Sequence, residues 1–262
     1  MKLRAMPSLI AAAITLAAGN ASAGLELQQL GFYAANGSAN SVFFDLGTTM
    51  SQFTPAAASA PGTTITWDLV NSTVTGGTPG STALTYGSVW SGFTFSPTTI
   101  WGVIAPDKTA GDIFTTTAAS VPLIDTMISA NAANASDGVE LTYYFAISAT
   151  GTHATSDNGA AFNTAGNALH YNGIGASDSW RNQSPFASGL AGSGSMPFYS
   201  LQYDLVNGDD APVVRTNFAG TWTLDAAGGT LTYAVPIPEA STYAMMGLGL
   251  VVLGAIARRR KV

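Results

Sequence analysis

Residues 240–257 contain no charged side chain, and the next four, Arg258-Arg259-Arg260-Lys261, are all cations. A helix over that apolar stretch rises about 27 Å, close to the hydrocarbon thickness of a bilayer. Met245, Met246, Leu248, Leu250, Val251, Val252, Leu253 and Ile256 supply the hydrophobicity. Gly247, Gly249 and Gly254 would weaken a helix in water but are ordinary in a spanning one. Tyr243 sits where an interfacial aromatic belongs, and cations stay on the cytoplasmic side. The expectation is a C-terminal transmembrane helix closed by a basic stop, with everything before it outside the cytoplasm.

The other end agrees. Lys2 and Arg4 precede an apolar run from Leu9 to Ala18, closed by Ala21-Ser22-Ala23. This is the order of a secretory signal peptide, with cleavage expected between Ala23 and Gly24. The chain therefore divides into a signal peptide (1–23), an extracytoplasmic domain (24–236) and a tail (237–262).

The tail opens on Pro236-Ile237-Pro238-Glu239-Ala240-Ser241-Thr242-Tyr243. Together with the apolar helix and the Arg-rich end, this resembles the PEP-CTERM sorting domain, the mark of exosortase substrates in Gram-negative bacteria. The resemblance is confined to the last 25 or so residues. It implies that Pro238, Glu239, Ala240, Ser241 and Thr242 form the sorting tag, with Ala240 standing where the namesake pattern has a second proline. It further implies an exosortase-like membrane enzyme as partner and a precursor held transiently in the inner membrane. The processed protein would then reach the cell surface or matrix, in association with exopolysaccharide and biofilm or floc. Prolines fit such a tag physically, because they block regular structure and keep the segment extended.

Charge and composition narrow the body. Only Lys108, Arg181 and Arg215 face fourteen of the fifteen acids there, a balance that repels nucleic acid. The absence of cysteine removes disulfides, thiol catalysis and thiolate metal sites, so stability must come from an ordinary apolar core.

Apolar residues of the body alternate in short runs punctuated by Gly, Asn and Asp, the signature of antiparallel strands. Ile65, Trp67 and Leu69 share one face of 63–70, and Val139, Leu141, Tyr143, Phe145 and Ile147 one face of 139–147. Residues 215–224 and 229–235 read as a closing hairpin turned by Asp225-Ala226-Ala227-Gly228. Further strands are expected at 25–33, 41–46, 82–86, 99–105, 111–116 and 198–206. Ser120 is placed to cap one helix from Val121 to Asn131. The expected architecture is mainly β, an antiparallel β-sandwich or jelly-roll-like ectodomain with one short helix. Residues 151–196, dominated by Gly, Ala, Ser and Asn, read as a surface loop, an insertion or a site.

Candidate chemistry is sparse. His153 and His170, with Asp157 and Asp178, are the available acid–base or metal-ligand set, and the pattern of a secreted hydrolase would have to use them. Asn207-Gly208-Asp209-Asp210 offers oxygens for Ca²⁺ but matches no EF-hand spacing and reads as a turn. Trp180 beside Arg181 is the candidate platform for a sugar ring in a carbohydrate-binding module. Neither a cofactor nor a metal is expected, and no catalytic residue is assigned. The expectation is a non-enzymatic exported surface protein.

Overall fold

The computed structural model describes residues 29–36, 40–53, 60–76, 83–96, 98–107, 110–116, 128–130, 132–133, 151–154, 158–164, 189–190, 195–237 and 246–251. Among the described residues there are eleven strands: β1 (Gln29–Asn36), β2 (Asn40–Thr49), β3 (Thr64–Asp68), β4 (Thr73–Thr75), β5 (Ile100–Asp107), β6 (Asp112–Thr116), β7 (Ala160–Thr164), β8 (Gly189–Leu190), β9 (Ser195–Gln202), β10 (Val214–Asp225) and β11 (Thr230–Ala234). They follow one hydrogen-bonded path in the order β4-β3-β11-β10-β9-β6-β5-β1-β2-β7, with β8 pairing β5, and every named pairing is antiparallel. The expected mainly β, antiparallel architecture is present. The strands form a single curled sheet.

The curl is visible in contacts between strands far apart on the path. Trp67 of β3 donates from Nε1 to the carbonyl of Leu46 in β2 at 3.0 Å. Phe53, in the helical turn 50–53 that follows β2, stacks on Trp222 of β10 (5.6 Å, 17°) and meets Tyr233 of β11 edge-on (4.9 Å). One apolar cluster results, joining Leu30, Phe32, Val42 and Phe44 to Trp101, Met196, Phe198 and Leu231. The period-two pattern explains which residues enter it: Ile65 and Trp67, Leu231 and Tyr233, Trp222 and Leu224 are the inward members of their strands. In β1 and β2 nearly every residue is buried, so those strands are covered on both faces.

A single turn design recurs. The β3–β4, β5–β6 and β10–β11 hairpins each pass four residues between a strand-ending aspartate and its partner: Asp68↔Thr73, Asp107↔Asp112 and Asp225↔Thr230. In each, the aspartate Oδ1 accepts a backbone N–H from within the turn, from Val70 and Asn71, from Ala110, and from Ala227 and Gly228. The fourth turn residue is left-handed every time, Ser72 (φ 56), Gly111 (φ 73) and Gly229 (φ 67). A four-residue loop built this way returns the chain in register while keeping its polar groups satisfied. Gly229 is fixed doubly, since a Cβ there would run into Val70 and Trp90.

Strands expected at 41–46, 63–70, 99–105, 111–116 and 198–206 are present with shifted ends, and the closing hairpin is found where the pattern put it. The strand expected at 25–33 begins at Gln29 among the described residues and runs on to Asn36. The segment 82–86 contributes a single parallel bridge, Thr85↔Gly159, because the next residues turn into the short helix Val89–Gly92. Strands β4, β7 and β8 were not anticipated. The expected strand 139–147 lies outside the described residues, as does most of the helix expected at 121–131. Ile128 makes an isolated antiparallel bridge to Pro212, and helical geometry appears just beyond, at 129–130. In the tail, 246–251 is helical with Met246, Leu248, Leu250 and Val251 exposed, while the rest of the expected span lies outside the described residues. No helix among the described residues is long and apolar enough to cross a membrane.

Two core tryptophans provide a test. Trp67 Nε1 is satisfied by Leu46, whereas among the described residues Trp222 Nε1 is buried without an acceptor. Trp222→Phe deletes an unpaired donor, but Trp67→Phe leaves a carbonyl short of its partner. Both lose similar ring volume. Urea unfolding should therefore place Trp67→Phe below Trp222→Phe by about 1–3 kcal/mol, the scale of a lost buried hydrogen bond.

Candidate functional site at the C-terminal junction

The last strand does not lie at an edge. β11 sits between β3 and β10, pairing Thr230–Ala234 with Asp68–Thr64 on one side and with Asp225–Thr221 on the other. The final described strand is therefore an interior one, and the chain must leave the sheet from its middle. Two backbone bonds define where. Val235 N donates to Thr63 O at 2.8 Å, and Gly62 N donates to Val235 O at 2.9 Å. Val235 is buried, while Pro236 and Ile237 are exposed.

The prolines complete the exit. Gly229 and Val235 both direct backbone groups to the β3 side, at Leu69 and Thr63. Alternation along an antiparallel strand then sends the backbone groups of even-numbered residues toward β10. Pro236 and Pro238 continue that even set and carry no N–H. The ladder to β10 loses its next donor there, and the pairing ends at Thr221↔Ala234. On the β10 side, a register shift between Asn217 and Thr221 bends the strand at the same level. Gly220 N donates to the buried Tyr233 hydroxyl at 3.0 Å, and the Tyr233 ring occupies the space a Cβ at Gly220 would need.

Comparison with protein families assigns this exit. Residues 236–261 match the PEP-CTERM protein-sorting motif. The match starts at the first residue beyond the Val235 clamp, so the boundary of the motif and the boundary of the folded sheet coincide. The motif indicates an exported, membrane-anchored precursor that is sorted by an exosortase-type enzyme. No curated protein and no solved structure matches the chain.

The sorting tag Pro238, Glu239, Ala240, Ser241 and Thr242 and the basic stop Arg258, Arg259, Arg260 and Lys261 lie outside the described residues, though within the matched motif. The signal-cleavage pair Ala23 and Gly24 lies outside them as well, as do Trp180, Arg181, His170, Asp157 and Asp178. The backbone of His153 belongs to a 3₁₀ turn, Gly151–Ala154. That turn is pinned by Thr152, whose hydroxyl donates to Thr85 O and accepts from Ala160 N. Four tryptophans, Trp67, Trp90, Trp101 and Trp222, are buried in the core and unavailable to a sugar.

Asn207-Gly208-Asp209-Asp210 forms the expected turn, and it repeats the hairpin design. Asp204 Oδ1 accepts from Val206 N and Asn207 N, Oδ2 accepts from Asn207 Nδ2 at 2.7 Å, and Gly208 is left-handed (φ 84). The same three bonds hold Asp68-Leu69-Val70-Asn71. In both, the asparagine side chain and turn amides hold the aspartate below its usual pKa. Among the described residues no three His, Cys, Asp or Glu side chains group closely enough to hold a metal ion.

One polar cluster was not foreseen. Asp45 in β2 accepts from Gln29 Nε2 (2.6 Å) and Gly47 N (2.8 Å), Gln29 also donates to Asn158 Oδ1 (2.9 Å), and the Tyr86 hydroxyl donates to the Asp45 carbonyl (2.7 Å). Asp45 and Tyr86 are 1% and 0% exposed, which closes the cluster to any substrate. Burial first, and then the Asp45 charge, push the Tyr86 phenol well above its usual pKa. These bonds tie β1, β2 and the 158–160 turn together.

The junction makes a direct prediction. A chain ended after residue 237 should melt within about 2 °C of the full body. A chain ended after residue 229 loses an interior strand and should show no cooperative transition in thermal circular dichroism.

Proposed function

We propose that this chain is a non-enzymatic cell-surface or matrix protein of a Gram-negative bacterium, delivered by its N-terminal signal and processed at its C-terminal motif. Cleavage between Ala23 and Gly24 frees the body on the outer side of the inner membrane. The segment Ala240–Ala257 then holds the precursor as a transmembrane helix, oriented by Arg258, Arg259, Arg260 and Lys261. An exosortase-like enzyme reads the tag at Pro238 and Glu239 and removes the helix and basic end. The body, a curled sheet of sandwich-like bulk, is released or attached to the envelope, where its acidic, disulfide-free surface associates with exopolysaccharide in biofilm or floc.

The observation that carries this reading is the coincidence at residue 235. The sheet is complete at Val235 and the sorting motif begins at 236, so processing need not disturb the fold. The body is read as structural because its most polar interior cluster, around Asp45, is sealed from solvent.

Intact mass measured on the surface fraction tests the sequence of events. The surface form should lack the helix and basic end that the membrane-bound precursor retains. Replacing both Pro238 and Glu239 with alanine should trap the precursor in the inner membrane at unchanged body stability. Surface protein that still carries residues 240–262 would reduce the tail to a simple anchor.

A further inference from the structure

The β9–β10 hairpin reaches past the point where the tail leaves. β11 runs from Thr230 to Ala234 and pairs with β10 no further than Thr221. On the other side of β10, Thr221 stands opposite Pro197, and β9 continues in the direction of β11 as far as Gln202. Those five additional residues extend about 17 Å at the rise of a strand. Past them lies the Asp204 turn, which carries Leu205 and Val206 at 87% and 90% exposure, the most exposed large apolar residues described.

The turn itself does not require an apolar pair. Its bonds use the Asp204 carboxylate, the Asn207 side chain and backbone N–H groups. The sister turn Asp68-Leu69-Val70-Asn71 has the same residues and bonds, but there Leu69 is wholly buried in the core. Leu205 and Val206 thus occupy a rigid turn that would form without them, and no described residue covers them.

The tether sets what they meet. From Val235, fixed in the sheet, to Ala240, where the uncharged stretch begins, is five residues, which span at most about 17 Å even fully extended. The hairpin therefore reaches as far as the tether can. We propose that in the membrane-held precursor the Leu205–Val206 tip contacts the lipid interface, standing the body on the bilayer beside its own tail. This rests on the tail being a transmembrane segment, as proposed above. The partner is the bilayer surface, and the contact depends on the tether. Asp204, Asp209 and Asp210 flank the tip and oppose an anionic surface, so the high local concentration imposed by the tail is what brings the apolar pair into contact.

The chain has no cysteine, so single labels can be placed cleanly. The full chain is reconstituted in phosphatidylethanolamine–phosphatidylglycerol bilayers with a nitroxide on Leu205→Cys, Val206→Cys, Val70→Cys or Leu250→Cys. Val70 marks the opposite end of the sheet, beside the residue that β11 starts on, and Leu250 marks the tail. Accessibility to oxygen relative to a water-soluble nickel chelate should be several-fold higher at 205 and 206 than at 70, and highest at 250. A lipid-embedded label at 250 with 205 and 206 no different from 70 overturns the contact alone. A label at 250 that remains in water overturns the membrane reading of the tail and this inference with it.

Discussion

The structure depends on where its last strand is placed. β11 is an interior strand, bonded on both sides, so the sheet is not complete until the chain has almost finished. Its neighbours supply opposite halves of the closure. β3 comes from early in the body and the residue before it, Thr63, holds Val235, while β10 brings Trp222 against Trp67 (5.2 Å) and Phe53. Sequence-distant segments thus converge on the final strand. A sheet whose final described strand lies in its middle has a sharply defined exit, and that exit is where the sorting motif starts.

Exit and retention use opposed chemistry over two or three residues. Hydrogen bonds and burial hold Val235, and prolines at 236 and 238 remove the donors that would continue the ladder. With donors at those positions the strand could extend its pairing along β10 beyond Thr221, where β11 now stops. The bulge at Asn217–Thr221 and the crowding of Gly220 by Tyr233 reinforce the break from the other strand. The described chain thus leaves the sheet where its own donors run out and where the neighbouring strand shifts register.

Much of the sheet was legible where one face is buried and the other wet. The alternation of Ile65, Trp67 and Leu69, and of Trp222, Leu224, Leu231 and Tyr233, specifies both strand and facing. β7, Ala160–Thr164, was hidden because Ala-Ala-Phe-Asn-Thr has little intrinsic strand preference, and its place is fixed by pairing with β2. β4 was hidden by its three-residue length. The repeated aspartate turn was readable, as Asp-Leu-Val-Asn occurs twice, but it recurs at no fixed period. The tag and its apolar and basic sequels were plain in the sequence. The Gly62–Thr63 clamp was not, because nothing local to 60–63 announces a partner more than 170 residues away.

That the sheet stops at Val235 is the central claim, and amide hydrogen exchange along the precursor in detergent tests it most directly. The Val235 amide, bonded to Thr63, should exchange as slowly as the amides of β11 and lose its protection only when the sheet unfolds. The Ile237 amide, two residues on, should exchange orders of magnitude faster. Equal protection at 235 and 237 would mean that the sheet continues into the motif, and fast exchange at both would mean that the clamp does not exist.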